Sequence, residues 1–188
     1  FSRVRLRAAT IGRVVDLGIT DASNMGAAMA PAACDTILTH LADMGRGAEA
    51  YDRIVTGDLG RFGTEMLLSL CKERGLSIAE RHMDCGSCIY APAQDVKCGG
   101  SGCGCSAVTL AALLLDELER GRTRRILFLA TGALLSPTTT LQGRPAARSR
   151  AMVSFSGIWS FCRCSRTWAA RSSACRAGSS AFGRTVSS

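Results

Sequence analysis

Three cysteines and two serines share one glycine-rich stretch, CGGSGCGCS at 98–106, and a Cys-x-x-Cys pair lies upstream at Cys85 and Cys88. Such residues can do three kinds of chemistry. Thiolates bind zinc, a thiolate at a helix N-terminus is a nucleophile, and glycine backbone with a serine hydroxyl binds anions. Zinc fits poorly. A four-ligand site needs spacings that a loop can wrap, but Cys85 and Cys88 are followed by a single Cys98 and then by Cys103-x-Cys105, not by a second Cys-x-x-Cys. The nucleophile reading puts Cys103 or Cys105 at a strand-to-helix turn whose helix end favours thiolate. It lacks a base: His40 lies in a helical pattern and His82 in a polar connection, and no motif joins either to the turn. Small residues packing a helix tightly on a sheet explain the same stretch without chemistry. GGSGCGCS also lacks the lysine of a nucleotide-phosphate loop.

Two further stretches end strands in glycine. In VTGDLGRFG, 55–63, Asp58 can bind a ligand or act as a base, or it can simply form a turn or cap a helix. In ATGALLSP, 130–137, Thr131 stands at the matching place, so the two Thr-Gly strand ends and the turn carrying Ser101, Cys103 and Cys105 are expected to line one pocket. Asn24, in DASNMGAAMAPAACDT at 21–36, is a candidate wall of that pocket, with Met25 and Met29 core or wall.

Positioning these residues requires an alternation of elements. Strands are expected at 4–15, 53–56, 87–90 and 125–131. Helices are expected from Pro31 to a stop at Gly45, from Glu65 to Arg74 closed by Gly75, and from Ser106 to Arg120 ended by Gly121. On the third helix, Leu110, Leu113, Leu114 and Leu118 define an apolar face. The order strand, helix, strand, helix, strand, helix, strand predicts an α/β layer with a mostly parallel sheet, and ligands bind at the βα turns on one edge of such sheets.

Charge separates two regions. Eight of the 23 Lys and Arg residues follow Gly143, where no Asp or Glu occurs, leaving 15 of each sign in the first 143 residues. The basic excess therefore belongs to 144–188, and the first region gives no electrostatic reason to expect nucleic acid. Residues 144–188 are rich in Arg, Ser and Ala without a steady period, and are read as an irregular tail, disordered or out of frame. No apolar run reaches the roughly 18 to 20 residues of a membrane span, and no signal peptide opens the chain. With 47% hydrophobic residues the chain can build a real core, so its ten cysteines are read as mostly reduced.

VVDLGITDASNMGAAMAPAACDT, YDRIVTGDLG, DCG at 84–86, GGSGCGCSAV and RILFLATGALLSPTT, in this order and spacing, resemble the C-terminal half of the stage V sporulation protein AD family. The resemblance runs from about residue 9 to 142. It implies a thiolase-like fold, in which two similar α/β halves pack together, with 1–143 as the C-terminal half. It also implies a non-enzymatic role: binding dipicolinate, as its calcium chelate, at the spore inner membrane, peripherally and beside the other stage V sporulation A membrane proteins. No cofactor and no resident metal are implied.

In thiolase-like condensing enzymes the nucleophilic cysteine comes from the first half, and the second half supplies His, or His and Asn, from loops comparable to VTGDLG and GGSGCG. Here those loops offer Asp58 and Ser101, which speaks against acyl condensation. The alternative is an acyl-transfer or condensing enzyme of that superfamily with Cys103 or Cys105 as nucleophile. A dianionic ligand calls for N–H groups, hydroxyls or helix N-termini, and Asp58 suits it only if Ca²⁺ bridges the two. A half without its partner face is expected to self-associate.

Overall fold

The structure, a computed structural model, describes residues 4–15, 17, 19, 24–96, 98–135 and 152–163. Five strands form one sheet in the spatial order β1 (Val4–Ile11), β5 (Met152–Arg163), β4 (Arg125–Leu135), β2 (Arg53–Thr56) and β3 (His82–Asp84). β2 pairs in parallel with β3 and β4, whereas β5 runs antiparallel to β4 and β1. Every strand except β5 therefore points the same way, as the alternating pattern predicts.

Helices cover both faces. On one side lie α1 (Met25–Met44) and α2 (Gly60–Glu73), burying Met29, Ala33, Ile37, Leu41 and Leu67 against Tyr51, Ile54, Leu127 and Leu129. On the other, a short α3 (Cys85–Cys88) precedes a long helix made of α4 (Cys103–Thr109), a π turn (Leu110–Leu114) and α5 (Leu115–Arg120). Leu114 and Leu118 meet Val55, Ile126 and Phe128 there, with Cys85 and Cys105 in the same cluster. The alternation in β4 explains the two sides: Ile126 and Phe128 face one layer, Leu127 and Leu129 the other. The alanines and Gly26 of α1 let it approach α2 closely, since a Cβ on Gly26 would collide with the Leu59 carbonyl.

Helix ends follow sequence chemistry. Gly45, Gly75 and Gly121 all adopt positive φ just past a helix, where each was expected as a stop. Helix starts differ. α1 begins at Met25, six residues before Pro31, because the Asn24 side chain accepts from the Ala27 N–H at 3.1 Å and caps it; Pro31 lies inside the helix. α2 begins at Gly60 and not Glu65, and the third helix at Cys103 and not Ser106.

The strand expected at 87–90 is absent. The strand is His82–Asp84, and Ser87 and Cys88 close α3, whose start is capped by Asp84 accepting from the Ser87 N–H at 3.0 Å. Pairing with β2, Ile54 opposite His82, makes a strand of a polar tripeptide that has no β pattern of its own. The first strand ends at Ile11, short of Val15. The π turn shifts the phase of the third helix, which leaves Leu113 38% exposed although its sequence position placed it on the apolar face. Within the Arg/Ser-rich stretch, 152–163 forms β5 where the sequence showed no period; 144–151 and 164–188 lie outside the described residues.

Candidate functional site

Because β2 and β3 run in parallel, Thr56 and Asp84 end side by side, and the turns that follow them meet at one edge of the sheet. Asp84 is the centre of this edge. Its carboxylate is 5% exposed and accepts from the Thr56 hydroxyl and Leu59 N–H at 2.8 Å, from the Gly60 and Ser87 N–H groups at 3.0 Å, and from the Ser87 hydroxyl at 3.3 Å. The N-terminus of α2, a natural anion seat, is thus filled by the protein's own carboxylate. Thr56 donates to Asp84, so its oxygen is left to accept from His82 Nε2 at 3.0 Å. Burial pushes the His82 imidazole below its ordinary pKa, with Asp84 opposing, and so favours the neutral ring.

Asp58 ties the second half of the edge. It accepts from the Thr131 hydroxyl at 2.8 Å and the Gly102 N–H at 3.1 Å, and its own N–H donates to Thr131 Oγ1 at 3.1 Å. β2, β4 and the turn opening α4 are thereby held by one half-exposed carboxylate. Gly57 permits this: a Cβ there would lie 2.7 Å from Thr131 Oγ1. The glycine turn closes over α3, with the Gly100 N–H donating to the Gly86 carbonyl at 2.7 Å. Gly60, at φ 67°, passes so close to the Cys98 carbonyl that any side chain would collide.

Of the residues singled out from sequence, Asp58, Thr131, Ser101 and Cys105 come together here. Ser101 is exposed, and its hydroxyl has no partner among the described residues. Cys105 is buried, with its sulfur 3.8 Å from the Gly57 carbonyl, and burial raises its pKa. A buried thiol of raised pKa is a poor nucleophile. Cys103 opens α4, and its side chain lies outside the described residues. Asn24 caps α1.

Asp84 was missed as a site residue. Part of its signal was local: Asp is a favoured N-cap, and Asp84 caps α3 by accepting from the Ser87 N–H. His40, far along the sheet, is wholly buried between the Thr10 hydroxyl and the Tyr51 hydroxyl, each at 2.8 Å. Neither imidazole reaches the Asp58 turn. Among the described residues no group of three or more His, Cys, Asp or Glu is placed to hold a metal ion.

Beside this edge lies an open cleft of about 300 Å³, lined by Arg61, Ser87, Tyr90, Asp95 and Gly99. Arg61 makes no ion pair among the described residues and offers a free cation.

A mostly parallel α/β layer with helices on both faces and its glycine turns at one sheet edge has a thiolase-like fold. Among solved structures it is similar to AbyA1, a tetronic acid condensing enzyme, with TM-score 0.50 and 15% identity over 85% of this chain and 47% of that one, a likeness of fold alone. The chain belongs to the stage V sporulation protein AD family, whose model (SpoVAD) matches residues 2–150. It is 48% identical over 139 residues to stage V sporulation protein AD of Bacillus subtilis (strain 168), covering 74% of this chain and 41% of that protein. The chain thus spans less than half the length of its curated relative. The family is one of sporulation proteins, and among the described residues no helix is long and apolar enough to cross a membrane.

Proposed function

We propose that this chain is part of a non-enzymatic spore protein that binds dipicolinate as its calcium chelate, with the turns around Asp58, Ser101 and Thr131 and the adjoining Arg61 cleft as the binding face. The observation that carries this reading is the fate of the general bases. The loops that hold His, or His and Asn, in condensing enzymes hold Asp58 and Ser101 here, Asp58 is occupied by Gly102 and Thr131, and both histidines are committed elsewhere. Acyl condensation needs a general base beside the reacting carbon, a part that neither the occupied Asp58 nor a committed histidine can play.

Ligand recognition asks for less. Ser101 provides a free hydroxyl, the first turn of α4 provides N–H groups without helical acceptors, Arg61 provides charge, and Tyr90 a ring face. Two carboxylates at the edge disfavour a bare dianion. A neutral calcium chelate avoids that repulsion and lets Asp58 reach the cation with a lone pair, as hard cations favour. Association with the spore inner membrane is peripheral in this reading, through the other stage V sporulation A membrane proteins, and the apolar side chains of Val108 and Leu113 on the long helix offer a surface for self-association or for the partner half.

Equilibrium dialysis of the intact protein tests the reading. Dipicolinate with calcium is expected to bind, and Ser101→Ala to weaken it about tenfold by removing a hydrogen bond to a charged group. Iodoacetamide at neutral pH separates the enzyme alternative. One hyper-reactive thiol at Cys103 or Cys105, together with absent dipicolinate binding, would overturn the proposal.

A further inference from the structure

Cys34 and Cys71 take no part in the edge described above. They lie on α1 and α2, 37 residues apart, with exposures of 4% and 0%, and their sulfurs are 3.6 Å apart. Among the six cysteines whose side chains are described, no other two sulfurs are in hydrogen-bonding contact. The two thiols are not equivalent. The Cys71 S–H donates to Cys34, which lowers the Cys34 pKa, with Arg74 assisting against burial; the same hydrogen bond, with burial, raises Cys71. Proton loss is thus favoured at Cys34 over Cys71, and the Cys71 S–H is the donor of the pair.

We propose that this pair is a modification site, a dithiol that small-molecule disulfides oxidise to an intramolecular Cys34–Cys71 bond joining α1 to α2. The Cys34 thiolate attacks one sulfur of a disulfide RSSR, forming a mixed disulfide and releasing RS⁻. The Cys71 thiol, giving up its proton, then attacks the Cys34 sulfur and expels the second RS⁻. The two protons of the protein thiols end on two RSH, and the two electrons reduce the reagent. The sulfurs need only close from 3.6 Å to roughly 2.05 Å.

Access follows from the position of Cys71. It lies in the last turn of α2, and its carbonyl accepts from the N–H groups of Arg74 and Leu76, closing the helix at Gly75. Helix ends open more readily than helix centres, and opening this cap moves Cys71 aside and uncovers the Cys34 sulfur against which it packs. The other cysteines whose side chains are described, Cys85, Cys88, Cys98 and Cys105, lack such a partner. Cys85 is pushed up to about 12 by burial, Cys105 is raised by burial too, and Cys88 and Cys98 are exposed single thiols.

The test is oxidation of the intact, folded protein with oxidised glutathione, followed by alkylation and peptide mapping. A Cys34–Cys71 linked peptide is expected as the main product, with two fewer free thiols. The unfolding midpoint should rise by about 5 to 10 °C and return on reduction with dithiothreitol. Cys71→Ser should stop at one glutathione on Cys34. The wild-type map stands without that variant, should it fail to fold. Free thiols at both positions after oxidation under conditions that open the α2 cap, or a Cys34 adduct that wild-type protein never resolves, would overturn the proposal.

Discussion

Asp84 ends β3 and Asp58 follows the neighbouring β2 at one edge of the same sheet, yet their surroundings set them to different tasks. Asp84 is buried, receives five hydrogen bonds from four residues and fills the N-terminus of α2. Asp58 receives two, one of them from the exposed glycine turn. The saturated carboxylate fixes the scaffold. The half-satisfied one leaves lone pairs toward the face where a ligand approaches. A functional edge of this kind needs both, because a recognition turn is only as well placed as the scaffold beneath it.

The contrast breaks most visibly at Asp84. Asp84→Ala strands the N–H groups of Leu59, Gly60 and Ser87, and a loss of about 4 kcal/mol is expected from urea unfolding. Gly60→Ala should follow, at about 2 kcal/mol in the same measurement, since it adds a collision with the Cys98 carbonyl to an unfavourable positive φ. Thr131→Val keeps the shape and removes the tie to Asp58, so it should cost only about 1 kcal/mol by thermal unfolding. If Thr131→Val instead proved as costly as Asp84→Ala, the division between scaffold and recognition carboxylate would fail.

The pH dependence sharpens the picture with the gentlest effect. Burial lowers the pKa of both His82 and His40, so the unfolded chain binds protons more readily than the folded one below the ordinary histidine value. Their contribution to stability is complete above about pH 6.5 and is lost as pH falls from there through the folded pKa values. Denaturation curves at pH 7.5, 6.5 and 5.5 should show that decline, and His82→Gln should flatten it.

Much of this architecture was legible in the residues. Arg53–Thr56 and 125–131 declare themselves by β-branched and apolar runs, and Gly45, Gly75 and Gly121 mark helix ends because glycine takes those φ values without strain. His82–Asp84 did not, since its strand character comes from its neighbour and not from its side chains. The π turn is equally silent, being an insertion in phase and not a change in composition.

At the site, Asp58 and Ser101 could be chosen because each stands beside glycine at a strand end or helix start; Thr131, expected at a strand end, lies beside Gly132 inside β4, which pairing with β5 extends to Leu135. Asp84 could not be ranked above them, because its five hydrogen bonds are assembled by turns from β2, α2 and α3 that meet only in three dimensions. Asn24 shows the reverse case. A polar residue in a plausible loop turned out to cap α1.

Calorimetric titration of the intact protein with dipicolinate, with and without equimolar Ca²⁺, tests the central claim most directly. Binding at least tenfold tighter for the chelate than for the free dianion is the result this account predicts, because Asp58 and Asp84 repel the one and not the other. Equal affinity for both forms, or no binding of either, would contradict it.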